Sequence, residues 1–204
     1  MSLTWDAVGE HRFETGVDHG VLFVYNKTTK KYGTGVEWNG LTAVNESPSG
    51  AEPTTMWADN IKYVTLMSAE EYGLTIEAYD APDEFAACDG RATYSLGNDL
   101  SGEIGQQERT MFAFSYRTKS GNDTNGQNNG YKIHYVFGCL ASPSEKNHQT
   151  VNDSPEASTM SWSVSCTPIT VGSGASAKTF ASLTIDDEDG TYDNSVIPDA
   201  LGLQ

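Results

Sequence analysis

The densest group of reactive side chains in the sequence lies in TIEAYDAPDEFAACDG, residues 75–90, where Glu77, Asp80, Asp83, Glu84 and Asp89 stand beside the thiol of Cys88. Carboxylates at this spacing could work as general acid and base, with Glu77 and Asp83 or Glu84 forming a glycosidase pair. Together with a thiolate they could hold a metal ion. The elements that must position them argue the other way. LTIEAY (74–79) alternates as a strand, with Leu74, Ile76 and Ala78 inward and Glu77 outward. The residues after it carry the signals of a short helix. Asp80 is the expected N-cap, Pro82 sits in the first turn, Asp83 and Glu84 lie near the positive end of the dipole, and Gly90 is the stop. A helix terminus accounts for these acids without catalysis.

Other candidate motifs are weaker still. GSGASAKT (172–179) approaches a phosphate-binding loop, but Ala177 replaces the second glycine and the following residues alternate like a strand. A phosphate loop must open a helix whose N-terminus meets the phosphates, so a hairpin turn is the expectation. DDEDG (186–190) lacks the alternating ligands and the later Glu of a calcium loop, and reads as a solvated acidic tail. His11, His19, His134 and His148 show no paired ligand spacing. No G-x-S-x-G occurs, and no Ser-His-Asp or Cys-His set can be assembled. Cys139 and Cys166 fall on apolar strand faces, with Cys139 sharing its face with Tyr131, Ile133, Tyr135 and Phe137. The expectation is a protein with no catalytic residue, no metal and no cofactor.

At 204 residues the chain suits one domain spanning 1–204. Abundant Gly, Ser, Thr, Asn and Asp among β-branched and aromatic residues favour a mainly β chain with many turns. Twelve basic residues face 28 acidic ones, for a formal net charge of −16. Binding of nucleic acid phosphates needs the opposite sign, which excludes conventional DNA recognition. Three cysteines make no disulfide framework and fit a reducing compartment. The first residues have no basic segment followed by an apolar run, so no signal peptide is expected. No segment reaches the roughly 18 apolar residues of a membrane span, so no membrane partner is expected.

The periodicity predicts a polar, irregular N-terminal arm over 1–20, then strands at 21–26, 35–45, 61–67 and 74–79. After the short helix, 91–108 reads as loop. Strands follow at 109–118, 131–141, 159–167 and 178–186, the last across a bulge. Segments 46–60 and 142–158 read as long polar loops, and 187–204 as an acidic C-terminal tail. About eight strands and one short flanking α-helix imply a β-sandwich or open barrel. Loops and arms of this length suit a domain whose partners complete it.

Three blocks, WNGLTAVNESPSGAEPTTMWADNIKY (38–63), TIEAYDAPDEFAACDG (75–90) and YKIHYVFGCLASPSEKNHQTVNDSPEASTMSWSVS (131–165), resemble the major tail (tail tube) proteins of long, non-contractile-tailed bacteriophages and related prophages. The similarity covers most of residues 20–185 and weakens over the first 15 residues and after about 187. It implies a tail-tube-like β-sandwich or open barrel with a flanking helix at YDAPDEFAACDG. It further implies homohexameric rings that stack into a conduit for DNA ejection, in a virion tail assembled in the host cytoplasm beside other phage tail proteins. Genomic DNA would pass through the lumen without specific binding. On this resemblance the loop at 46–60 contacts neighbouring subunits, which points to Glu46, Ser47, Pro48, Ser49, Gly50, Trp57 and Asp59. A different class of function is a carbohydrate-binding β-sandwich module, in which Trp5, Trp38 and Trp57 would stack on sugars.

Overall fold

The computed structural model describes residues 5–97, 100–146, 150 and 157–204 of the chain. The strands run β1 (Arg12–Asn26), β2 (Lys31–Tyr32), β3 (Val36–Trp38), β4 (Leu41–Glu46), β5 (Ser49–Gly50), β6 (Pro53–Ala58), β7 (Ile61–Met67) and β8 (Glu70–Ala78). A 3-10 turn (Asp83–Phe85) leads into the short helix α1 (Ala86–Asp89). After it come β9 (Ala92–Gly97), β10 (Leu100–Ile104), β11 (Phe112–Asn122), β12 (Gly126–Ala141), β13 (Met160–Cys166), β14 (Ile169–Val171), β15 (Lys178–Phe180) and β16 (Ser182–Asp187). The fold is mainly β and β-sandwich-like, with one short helix, as the composition and alternation imply.

The main sheet is ordered β2-β1-β11-β12-β13-β8-β4, with β3 added to β1, β16 to β12 and β5 to β8. It divides along β12. Residues Tyr131 to Val136 pair with β16, whereas Cys139 to Ala141 pair with β13, which carries the sheet on to β8 and β4. The division falls at Gly138, whose φ of +64° is left-handed. There the register against β11 slips by one residue, from Phe114↔Val136 to Phe112↔Cys139. One extra residue in a strand reverses which face its side chains occupy. Ile133, Tyr135 and Phe137 therefore enter one core, and Cys139 and Ala141 enter the other. This corrects the expectation that Cys139 shares a face with Tyr135 and Phe137.

Strands β1, β11 and β12 are covered on both sides. Phe112, Ala113, Phe114, Ser115 and Tyr116 are all buried, although their alternation suggested a strand with one wet face. On one side Trp38, Phe85, Phe112, Phe114 and Trp162 pack together. Trp38 meets Phe85 at 4.5 Å and Trp162 at 5.5 Å between ring centroids. Such aromatic pairs contribute roughly 0.5–1.5 kcal/mol beyond area burial. On the other side Phe23, Ile133, Tyr135 and Phe137 pack against Ile197.

Several expected boundaries move. The N-terminal arm is irregular only up to Arg12, where β1 begins and pairs along β11. The expected strand 35–45 breaks at Gly40 (φ +79°), so that β3 joins β1 and β4 crosses to β8. Within 91–108, read as loop, β9 and β10 pair with each other as antiparallel strands. The expected strand 178–186 divides at Ala181: β15 pairs β14, and β16 pairs β12. The acidic tail folds back on the second core. Asn194 Nδ2 donates to the His19 carbonyl (2.7 Å) and Ser115 Oγ (3.1 Å), Tyr135 donates to the Val196 carbonyl (2.7 Å), and Tyr32 N donates to the Leu203 carbonyl (2.8 Å). The expected loop at 142–158 lies largely outside the described residues, as does His148.

Candidate functional site

The acidic stretch at 75–90 divides among local structural tasks. Asp80 does not cap the helix. Its Oδ1 accepts from the Ala81 amide at 2.9 Å and its carbonyl accepts from Trp38 Nε1 at 2.8 Å. The 3-10 turn begins at Asp83, behind an extended Pro82 with no side-chain cap, because proline's fixed φ places the first turn there. Gly90 stops α1 in the left-handed conformation, φ +86°, as its position implies. Asp83 and Glu84 are exposed and Glu77 is half-buried. Asp89 is buried, and both of its oxygens lie 2.9 Å from Arg91 Nε. Burial, aided by the charge of Asp89, pushes the Cys88 thiol up to about 12, so it is protonated at neutral pH.

The remaining candidates also have local partners within the fold. GSGASAKT forms the β14–β15 hairpin, with a 3-10 turn at Gly174–Ser176. In DDEDG the Asp187 carboxylate accepts from the amides of Thr191 (3.2 Å) and Tyr192 (3.1 Å) and so fixes a turn. His134 stacks on Tyr116 at 4.6 Å, with Nε2 at 3.2 Å from Glu14 and 3.0 Å from Thr118. Among the described residues no three His, Cys, Asp or Glu side chains converge to hold a metal ion. No helix among them is long and apolar enough to cross a membrane. Trp38 is 2% exposed and donates to backbone, so it is unavailable for stacking on a sugar.

What stands out is a surface. Residues 46–60, read as a loop, lead into a β-hairpin. Glu46 ends β4 and accepts a hydrogen bond from Tyr116 at 2.7 Å. Burial and this acceptor hold the Tyr116 hydroxyl above its usual range. The Ser47 amide donates to the Gly73 carbonyl at 2.8 Å, Pro48 is exposed, and Ser49 and Gly50 pair with Glu71 and Glu70. Residues 46–50 thus border the main sheet. The chain then leaves it through Gly50 (φ +83°) and Ala51 (φ +53°). Among the described residues, strands β6 and β7 pair only with each other, and Asp59 and Asn60, both with φ above +50°, form the two-residue turn between them. Trp57 and Asp59 therefore lie well along the hairpin, apart from residues 46–50.

The hairpin is apolar on both faces. Trp57 is 70% exposed, Tyr63 69%, Met67 67% and Ile61 61%, while Met56, Val64 and Leu66 are also exposed. IKYVTLM forms the strand its pattern implies, yet every residue of β7 is exposed. A second two-stranded unit, β9–β10, exposes Tyr94, Leu96, Leu100 and Ile104 and is tied to the body by Arg91–Glu103 at 2.8 Å. Sequence reasoning missed Ile61, Tyr63, Leu66 and Met67 because an apolar run gives no sign of what will cover it. An isolated two-stranded hairpin is marginal in water, and clustered exposed apolar side chains mark interaction surfaces.

No protein-family model matches the chain, and no curated protein matches it.

Proposed function

We propose that the protein is a structural subunit of a phage-type tail tube, which assembles as stacked hexameric rings around a conduit for DNA. The observation that carries this reading is the β6–β7 hairpin. It exposes Trp57, Ile61, Tyr63, Leu66 and Met67 on a two-stranded unit to which no other strand among the described residues is paired. Such an element gains its stability from a second protein surface. The resemblance of residues 38–63, 75–90 and 131–165 to tail tube proteins makes that surface another copy of the chain. A contact of this head-to-tail kind uses different patches on the two partners, and so propagates into rings and stacks.

Charge supports the same reading. Each copy carries a formal charge of −16, and repulsion of phosphates keeps DNA mobile within a channel. Sedimentation velocity over a concentration series tests the proposal. Hexamers or larger stacks in the wild type are expected, and a Trp57→Glu/Leu66→Lys variant is expected to sediment as a folded single chain. Equal sedimentation of the two proteins would remove the hairpin from the proposed contact.

A further inference from the structure

We propose that Cys139 and Cys166 form a latent disulfide site, a thiol pair held across two strands and closed by a two-electron thiol oxidant. Cys139 on β12 stands directly opposite Cys166 on β13. The Thr167 amide donates to the Gly138 carbonyl at 2.9 Å and the Ser142 amide to the Ser163 carbonyl at 2.8 Å, which makes 138/167 and 142/163 bonded pairs. Pairs alternate along an antiparallel ladder, so 139/166 is a non-hydrogen-bonded pair, whose Cα atoms stand ~4.5 Å apart. That spacing lies inside the ~4.4–6.8 Å a disulfide spans. The two sulfurs are 3.5 Å apart, a gap that small side-chain rotations close. All three cysteines of the chain are free. The juxtaposition depends on Gly138, because without its bulge Cys139 would face the opposite core.

In a reducing cytoplasm the pair stays as two thiols, and outside it an oxidant closes it. Cys166 is 7% exposed and Cys139 fully buried, so the oxidant meets Cys166 first. With diamide, the Cys166 sulfur adds to the N=N bond and its proton passes to the second nitrogen. The Cys139 sulfur then attacks the Cys166 sulfur. The S–S bond forms, the S–N bond breaks, and two protons and two electrons leave in the hydrazine product. Burial holds the Cys139 thiol well above its ordinary range, so closure quickens as pH rises. The bond would tie β13 to β12 at the point where β12 divides. The site stands independently of the assembly reading.

The test exposes the folded full-length protein to diamide across neutral and mildly alkaline pH, then unfolds, alkylates and maps it by mass spectrometry. The expected result is one linkage, Cys139–Cys166, with Cys88 left as the single alkylatable thiol. Tm should rise by roughly 5–10 °C for a loop of this length and be restored by dithiothreitol. Cys88→Ala should keep the linkage and Cys139→Ala should abolish it. Three alkylatable thiols after oxidation, or any linkage that includes Cys88 or joins two chains, would overturn the proposal.

Discussion

Substituting Gly138 with alanine probes the feature that divides the sheet. A Cβ at this position would stand 2.0 Å from the Thr167 carbonyl oxygen and 3.0 Å from its carbon, both backbone atoms of the neighbouring strand. The residue also sits at φ +64°, where an L side chain costs roughly 1–2 kcal/mol. Relief of the clash requires β13 to move away, which strains the 2.9 Å hydrogen bond from the Thr167 amide to the Gly138 carbonyl. A bond of this kind contributes about 0.5–1.5 kcal/mol. Together the terms give about 2.5 kcal/mol, or a fall in Tm of roughly 5–10 °C for a domain of this size. Gly126 supplies the reference, with φ +60° and nothing within 4 Å of an added Cβ. Gly126→Ala should therefore cost only the conformational part, about 1–2 kcal/mol. Thermal melts followed by circular dichroism compare the two variants directly. Equal shifts would refute the reasoning, since they would mean that β13 does not press on Gly138.

Other expectations follow from the same geometry. Replacing Pro53–Met67 with a short glycine linker should leave Tm within roughly 2 °C, because Glu52 and Ser68 already meet across the base of the hairpin, but should abolish assembly as judged by sedimentation. Arg91→Ala leaves the buried Asp89 carboxylate without its cation and should cost about 3 kcal/mol in urea melts, most of it recovered by adding Asp89→Asn. At acid pH, Asp18 and Glu14 should govern the loss of stability. Burial alone would raise both carboxyls, but for Asp18 it is outweighed by the hydrogen bonds and charge of Arg117 with His19, and for Glu14 by Thr118, Lys132 and His134. Their folded values lie below the unfolded ones of 4.5 for Glu and 3.8 for Asp. The stability they contribute is thus complete above those values and is lost as pH falls through the folded ones. Asp18→Asn should flatten the acid limb of a Tm–pH profile, and an unchanged limb would remove the ion pair from this role.

The legible part of the fold is the part governed by period-two alternation against a dry core. Met160, Trp162, Val164 and Cys166 face inward as their pattern implies, and so do Leu74, Ile76 and Ala78. Gly90 ends its helix because only a residue free of Cβ crowding turns left-handed at that point cheaply. The sequence is nearly silent where one residue changes register. The isolated glycine in YKIHYVFGCLA, Gly138, is the one sign of a bulge there, and it decides the core that Cys139 enters. It is also silent where burial comes from distant chain, as with the tail residues Asn194 and Ile197, whose partners lie on β1, β11 and β12. Asp59-Asn60 makes a two-residue turn without the usual glycine, so the sequence shows β7 as a strand but leaves its partner β6 within a loop. Of the residues expected to contact neighbours, Trp57 and Asp59 lie on that hairpin, whereas Glu46 is engaged by Tyr116 of its own chain.

Negative-stain electron microscopy of the purified protein, over a concentration and salt series, tests the central claim most directly. Six-fold rings or hollow tubes are predicted, favoured at higher salt because screening relieves repulsion between copies of charge −16. Single-chain particles at every concentration and salt would contradict the account.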